Sequence, residues 1–233
     1  MDWFEEREAR YDISTQKEKA FVLLETIVDE YFCSFHQGLT NNGQPIYKLL
    51  KFGSSYLKTD DFESDIDSIL CTFAQIEAST NNSKANPKLH QILDHDNGSF
   101  FDIFFGYLQK KQSSGLITDL QKVEEALVPL IKLKINNIDI DLLLCSKASS
   151  ASDLTDSLDT TSKKSLNSIQ GYECTRVLEQ IASSFQIPQS KINGQMENTG
   201  LYIFRNVTKL IKYFCKCKRI YGANLCYLNG MTI

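Results

Sequence analysis

Two aspartates, Asp65 and Asp67, stand one residue apart in the run S-D-I-D-S-I-L-C, twelve residues after Gly53 in F-G-S-S. In an extended chain, residues i and i+2 share a face, so both carboxylates point the same way. Their neighbours Ile66, Ile69 and Leu70 are apolar, and charges in a half-buried frame are costly unless compensated. A second pair, Asp139 and Asp141, sits in a matching frame of Ile138, Ile140 and Leu142. Carboxylates from two neighbouring strands that met at one edge would suit a hard divalent cation, which takes oxygen ligands and keeps positions for water and phosphate. Gly53-Ser54 supplies the complementary half. A Gly turn lets the backbone come close to a phosphate, and its N–H groups with the Ser54 hydroxyl can cradle one. Each piece alone is ordinary, since D-x-D is commonly a solvated strand face and Gly-Ser a common turn. Their order, spacing and apolar setting carry the argument.

The rest of the chain frames these strands. Residues 2–36 place Phe21, Leu24, Ile27, Val28, Tyr31 and Phe32 at helical spacing, which predicts one or two helices. N-N-G-Q at 41–44 reads as a turn. Y-K-L-L-K-F-G-S-S reads as a strand ending in a tight turn, and S-D-I-D-S-I-L-C-T-F as a second strand. Residues 77–88 are polar and turn-rich, a loop. S-F-F-D-I-F-F-G-Y-L-Q-K-K-Q is expected to be helical because Phe101, Phe104, Phe105 and Leu108 share a face. Phe100, Phe101, Phe104 and Phe105 could stack on bases, but their helical grouping favours a core role. Runs 127–135 and 138–145 are strand-like, joined by Asn136-Asn137 as a two-residue hairpin loop. Residues 146–168 are Ser/Thr-rich and are expected to form a long connector. Helical patterns return at E-C-T-R-V-L-E-Q-I-A-S-S-F and at L-Y-I-F-R-N-V-T-K-L-I-K-Y-F-C-K-C-K-R-I-Y-G. On the latter, Lys209, Lys212, Lys216 and Arg219 fall in one arc, with Val207, Leu210, Ile211 and Phe214 opposite. By itself that is an amphipathic helix with a wet basic face; across from an acidic site, a basic wall could bind triphosphate. The alternation of strands and helices implies an α/β or α+β first domain followed by a mostly helical segment, with a boundary near residue 182.

Composition removes other classes. At 233 residues, 42% hydrophobic and 11% aromatic, the chain can build a packed core. A net charge of −4, from 25 basic and 29 acidic residues, argues against binding nucleic acid by bulk charge, though not against a local basic patch. Seven cysteines, an odd number without a C-x-x-C pair, favour a reducing compartment over a disulfide framework. Cys215 and Cys217, two apart in a helical pattern, point to different faces and do not make half a zinc site. His36, His90 and His95 form no catalytic spacing, and L-D-H-D at 93–96 reads as solvated surface. The acidic N-terminus lacks the apolar stretch of a signal peptide, and no apolar run reaches membrane-spanning length.

The segment F-G-S-S-Y-L-K-T-D-D-F-E-S-D-I-D-S-I-L-C resembles the signature of the nucleotidyltransferase, or DNA polymerase β-like, superfamily. Within it the chain resembles the eukaryotic canonical poly(A) polymerases. K-V-E-E-A-L-V-P-L-I-K-L-K-I-N-N-I-D-I-D-L-L-L is similar to the stretch leading into that family's third catalytic acid. S-L-N-S-I-Q-G-Y-E-C-T-R-V-L and K-L-I-K-Y-F-C-K-C-K-R-I-Y-G-A-N-L-C-Y-L-N-G-M resemble the segments opening its central domain. The likeness spans most of residues 5–233, with gaps at 77–98 and 183–200. It implies an α+β fold with a mixed sheet flanked by helices in residues 1–182. Residues 183–233 would be the beginning of a central helical domain, truncated at the C-terminus relative to the family.

The resemblance also implies roles. Asp65 and Asp67 would hold both Mg2+ (or Mn2+) ions, with Asp141 as the third acid and Asp139 in support, where the family usually has Glu. Gly53, Ser54 and Lys212 would contact the triphosphate, and Phe52, Gln170, Tyr221, Gly230 and Met231 would belong to the same nucleotide-binding site. The family has Asn at the position of Gln170, glycines where Lys58 and Glu63 stand, and a glycine in place of Asn229. The implied activity is template-independent transfer of AMP from ATP to an RNA 3′ end, with an mRNA 3′-end processing complex as a further partner and the nucleus as location. Two alternatives stand beside it: uridylyl or oligoadenylate transfer by the same chemistry, and a module that binds nucleotide or a partner without catalysis.

Overall fold

The computed structural model describes residues 3–35, 40–41, 44–45, 47–61, 63–73, 99–126, 128–147, 163–185 and 199–220. The 77–88 loop, the three histidines, and Tyr221, Gly230 and Met231 lie outside the described residues. One long helix, α1 (Trp3–Phe35), opens the chain. A minimal hairpin follows, β1 (Thr40–Asn41) with β2 (Gln44–Pro45). Next come β3 (Tyr47–Lys51), the single-turn α2 (Gly53–Leu57), β4 (Ile66–Phe73) and α3 (Ser99–Ser113). The chain continues through β5 (Thr118–Val123), β6 (Leu130–Ile135) and β7 (Ile138–Lys147), then α4 (Lys163–Ser184) and α5 (Thr199–Cys217).

Five strands form one sheet in the order β3-β4-β7-β6-β5, with β4 and β7 parallel and the other neighbours antiparallel. The expected mixed sheet flanked by helices is therefore present. Strand alternation assigns its two faces. Ile66 and Leu70 of β4, Ile140, Leu142 and Leu144 of β7, and Ile131, Leu133 and Ile135 of β6 point one way. They pack with Leu24, Ile27, Val28 and Tyr31 of α1 and Phe100, Phe104 and Leu108 of α3 in the main core. Phe100 and Phe104 are fully buried and their rings stack 5.8 Å apart. That phenylalanine cluster is core, as its helical grouping predicts. Ile69, Cys71, Phe73 and Cys145 point the other way and pack with Phe52 and Ile169 in a smaller cluster under α4. The face under α4 is the one that carries Asp67, Asp139 and Asp141.

Asn136 and Asn137 both adopt left-handed backbone, φ 51° and 63°. Two such residues give the primed turn whose twist matches the flanking strands, so Asn-Asn closes the β6–β7 hairpin without glycine.

The structure departs from the sequence expectations in three places. Strand β5 was not expected, because T-D-L-Q-K-V lacks an apolar run. It is an edge strand, mostly exposed or half-buried, recruited by hydrogen bonding to β6 through an irregularity between Thr118 and Gln121. Helix α4 begins at Lys163, inside the segment expected to be a connector. Burial of Ser168 and Ile169 against the sheet overrides the low propensity of the serine-rich start. On α5 the basic arc is divided between interior and surface, and the opposite apolar arc is not buried. Lys212 is buried, while Val207, Leu210, Ile211 and Phe214 are exposed. Lys209 and Arg219 lie on the surface, and Cys215 is buried while Cys217 is exposed. No described helix is long and apolar enough to cross a membrane.

Candidate active site

Asp67 and Asp141 are register partners on adjacent parallel strands, with Ile66 opposite Ile140 on one side of them and Ser68 opposite Leu142 on the other. Neighbouring strands lie about 4.8 Å apart, so these same-face carboxylates are near neighbours. Asp65 immediately precedes β4 and adds a third charge. The charges of Asp65 and Asp141 both act on Asp67. Burial foremost, then those like charges, pushes the Asp67 carboxyl up to about 7, with Lys212 and Lys132 pulling weakly the other way. Asp65 is raised by burial and by Asp141. Like charges on paired positions destabilise a sheet, and this cluster has that arrangement at the strand ends beside a turn.

Gly53 brings that turn close. Its φ is +63°, and a Cβ there would lie 2.6 Å from the Asp67 Oδ2. Any side chain would both strain the backbone and strike the carboxylate, so glycine is required twice over. The Phe52 N–H donates to the Asp67 carbonyl (3.1 Å), tying the turn to β4. Ser54 is half-buried on the same turn. The Phe52 ring is buried against Gly171 on α4, where a Cβ would come within 2.9 Å of it. Phe52 thus supports the turn from behind. Gln170 is exposed on α4, one residue from that contact.

The basic wall faces the loop between α2 and β4. Lys212 Nζ donates to the Thr59 carbonyl (3.2 Å), and Arg205 Nε to the Leu57 carbonyl (2.9 Å). Lys216 Nζ pairs with Asp61 (2.8 Å) and Glu63 (2.9 Å). From the other side, Lys17 of α1 reaches Asp60 at 2.8 Å. Burial lowers the Lys212 ammonium, opposed by the charges of Asp61, Asp60 and Asp67. Lys58 and Glu63 make this loop more polar than a glycine-rich one, and Glu63 uses that polarity to hold α5.

Three participating residues were missed from the sequence. Lys132 lies across the β6–β7 pair from Asp141, with Nζ 3.2 Å from its Oδ2. Lys134 sits opposite Asp139 in the same way, at 3.4 Å. The alternation of L-I-K-L-K-I, apolar inward and lysine outward, was the available signal. Thr175 accepts the Gly53 N–H at 2.9 Å across 122 residues of chain, and no local pattern announces that.

Three half-buried carboxylates, of which Asp65 and Asp67 are raised by burial first and then by like charge, make the all-oxygen donor set that a hard divalent cation takes. The chemistry fits. As they stand, no three His, Cys, Asp or Glu side chains among the described residues are gathered closely enough to hold a metal. Asp141 is turned to Lys132, and uncompensated carboxylates keep apart, so a cation would have to replace that ammonium.

The chain covers 99% of its length on the polymerase core of TRAMP, an RNA surveillance complex, at 15% identity and TM-score 0.41, spanning 48% of that chain. It matches the non canonical poly(A) polymerase complex GLD-2–GLD-3 over 62% of its length, at 16% identity and TM-score 0.32, spanning 40% of that chain. It also matches terminal uridylyl transferase 4 from Trypanosoma brucei with bound UPU, over 57% of its length at 16% identity and TM-score 0.32, spanning 38% of that chain. The chain thus spans less than half the length of these solved structures. The family model of the poly(A) polymerase nucleotidyltransferase domain matches residues 14–183, which include α2, the whole sheet and α4 up to its last residue but one. With that match over most of its length, the chain belongs to the poly(A) polymerase nucleotidyltransferase domain family.

Proposed function

We propose that this chain transfers AMP from ATP to an RNA 3′ end without a template, as the canonical poly(A) polymerases do. The observation that carries the reading is the register pairing of Asp67 with Asp141 on one sheet face, with Gly53 packed against Asp67. Asp65, Asp67 and Asp141 would hold Mg2+ or Mn2+, which when bound neutralises triphosphate charge and makes the attacking hydroxyl more acidic. Gly53 and Ser54 would cradle the triphosphate, and Lys212 and Lys216 would hold the departing pyrophosphate. Phe52 and Gln170, and Tyr221, Gly230 and Met231 beyond the described residues, complete the proposed nucleotide site. The O–P bond forms from the primer 3′ oxygen to the α-phosphorus as the bond to the pyrophosphate oxygen breaks, and the hydroxyl proton leaves to solvent. Residues 1–182 would form the catalytic domain and 183–233 the start of the central domain. An mRNA 3′-end processing complex and the nucleus are the proposed setting.

The test is primer extension by purified protein on a labelled oligonucleotide RNA with Mg2+ and each nucleoside triphosphate singly. ATP is expected to be incorporated well above UTP, and Asp67→Asn or Asp141→Asn to reduce extension at least about 1000-fold. Preference for UTP would replace adenylyl with uridylyl transfer. ATP binding by wild type without extension would favour the non-catalytic module.

A further inference from the structure

Gly53 is the first residue of α2, and Phe52 before it offers no side-chain cap to the helix. The acceptor that its N–H finds comes from another element. Thr175, only 4% exposed in the middle of α4, accepts from the Gly53 N–H at 2.9 Å and donates its own hydrogen to the Gly171 carbonyl at 2.8 Å. A mid-helix threonine commonly bonds back to the carbonyl four residues earlier, and that bond alone has no bearing on a distant turn. Here the second half of the hydroxyl's capacity reaches across 122 residues to the turn beside the carboxylates. The two bonds form a relay, in which donation to Gly171 fixes the hydroxyl hydrogen and leaves a lone pair for Gly53.

Successive amides of the turn thus have different anchors. The Phe52 N–H is held by the Asp67 carbonyl of β4, and the Gly53 N–H by Thr175 of α4. Gly53 itself abuts the Asp67 carboxylate. The direction of the next peptide, which carries the Ser54 N–H, follows from those two anchors. We propose that Thr175 is a positioning residue for the nucleotide: its hydroxyl sets how the Gly53–Ser54 turn meets a triphosphate beside Asp67. This rests on the nucleotidyltransferase reading above. A valine in its place keeps the shape and leaves a part-buried N–H without its acceptor, which favours rotation of the turn toward another.

The test measures the dissociation constant of α,β-methylene-ATP with Mn2+ by calorimetry for wild type, Thr175→Val, Thr175→Ser and Glu179→Gln. RNA primer affinity and Tm are measured alongside. Thr175→Val is expected to weaken nucleotide binding about tenfold, the equivalent of about 1.4 kcal/mol, with RNA affinity unchanged. Thr175→Ser, which keeps the hydroxyl, is expected to stay within about twofold of wild type on the same scale. Glu179→Gln weakens a different α4 contact, the acceptor of the Tyr56 hydroxyl at 2.7 Å, and is expected to lower Tm while leaving nucleotide affinity alone. Should the valine variant not fold, Thr175→Cys, a weak acceptor of serine's shape, carries the same expectation. Wild-type affinity in the valine or cysteine variant, or equal losses in valine and serine, overturns the proposal. Wild type that neither binds the analogue nor extends RNA overturns the underlying reading, and with it this one.

Discussion

At the level of single residues, the site stores unfavourable energy. The Asp67 carboxyl, raised from 3.8 to about 7, is held where its charged form is disfavoured. The sign follows directly. Below about pH 4 both folded and unfolded chains keep the proton and nothing is lost. Between pH 4 and 7 the unfolded chain ionises first, so stability falls as pH rises; above 7 the cost is complete. Asp67→Asn is therefore expected to raise Tm by roughly 4 °C or more at pH 8, with the gain vanishing near pH 4, as followed by thermal melts across pH. Mg2+ is expected to raise the wild-type Tm and leave the variant's unchanged, because the variant lacks the charge that the cation compensates. A more stable but inactive variant is the expected mark of a residue kept for chemistry rather than for folding.

Among the elements, α5 bears most directly on the site, because its cations hold the α2–β4 loop. Asp61 shows the balance: burial raises its pKa, but hydrogen bonds from Lys216 and Ser64 outweigh that and depress it. A depressed carboxylate contributes stability above its unfolded pKa and loses it as pH falls through the folded value. Lys216 is partly exposed, so its pairs with Asp61 and Glu63 together contribute only about 1 kcal/mol after solvent screening. Lys216→Met is expected to shift the urea midpoint by about that amount and to reduce the acid sensitivity of unfolding. It is also expected to raise the KM for ATP, since it removes one of the two buried-side cations. The orientation of this helix could not be read from its sequence. Its apolar arc is the clearest in the chain, and burial of that arc was the natural expectation, yet the loop's carbonyls and carboxylates draw Lys212 and Lys216 toward them.

For the molecule as a whole, one sheet with unlike faces does the organising. The face under α1 and α3 is apolar and carries stability; the opposite face changes from apolar beneath α4 to charged at Asp67, Asp139 and Asp141. Phe104, fully buried and edge-on to Tyr31 at 4.9 Å, belongs wholly to the first face. Phe104→Ala is expected to cost about 3–5 kcal/mol, read as a lower urea midpoint, while the ATP KM of the protein that remains folded is unchanged. The same division explains how legible the site was. The acid pairs, the Gly-Ser turn and the Asn-Asn hairpin depend on strand alternation and on backbone preferences within a few residues.

What the sequence by itself determined were those local devices: which carboxylates share a face, where the chain turns, and which aromatic residues line a helix toward a core. Periodicity and backbone sterics act over a few residues, so a string of residues suffices to show them. Only the tertiary structure decided that Asp67 and Asp141 are partners, that Lys132 lies against Asp141, that Thr175 holds Gly53, and that Lys212 and Lys216 of α5 reach the loop before β4. Each of these depends on which distant segments share a hydrogen bond or a charge, and pairing energy between segments leaves no periodic trace in either one.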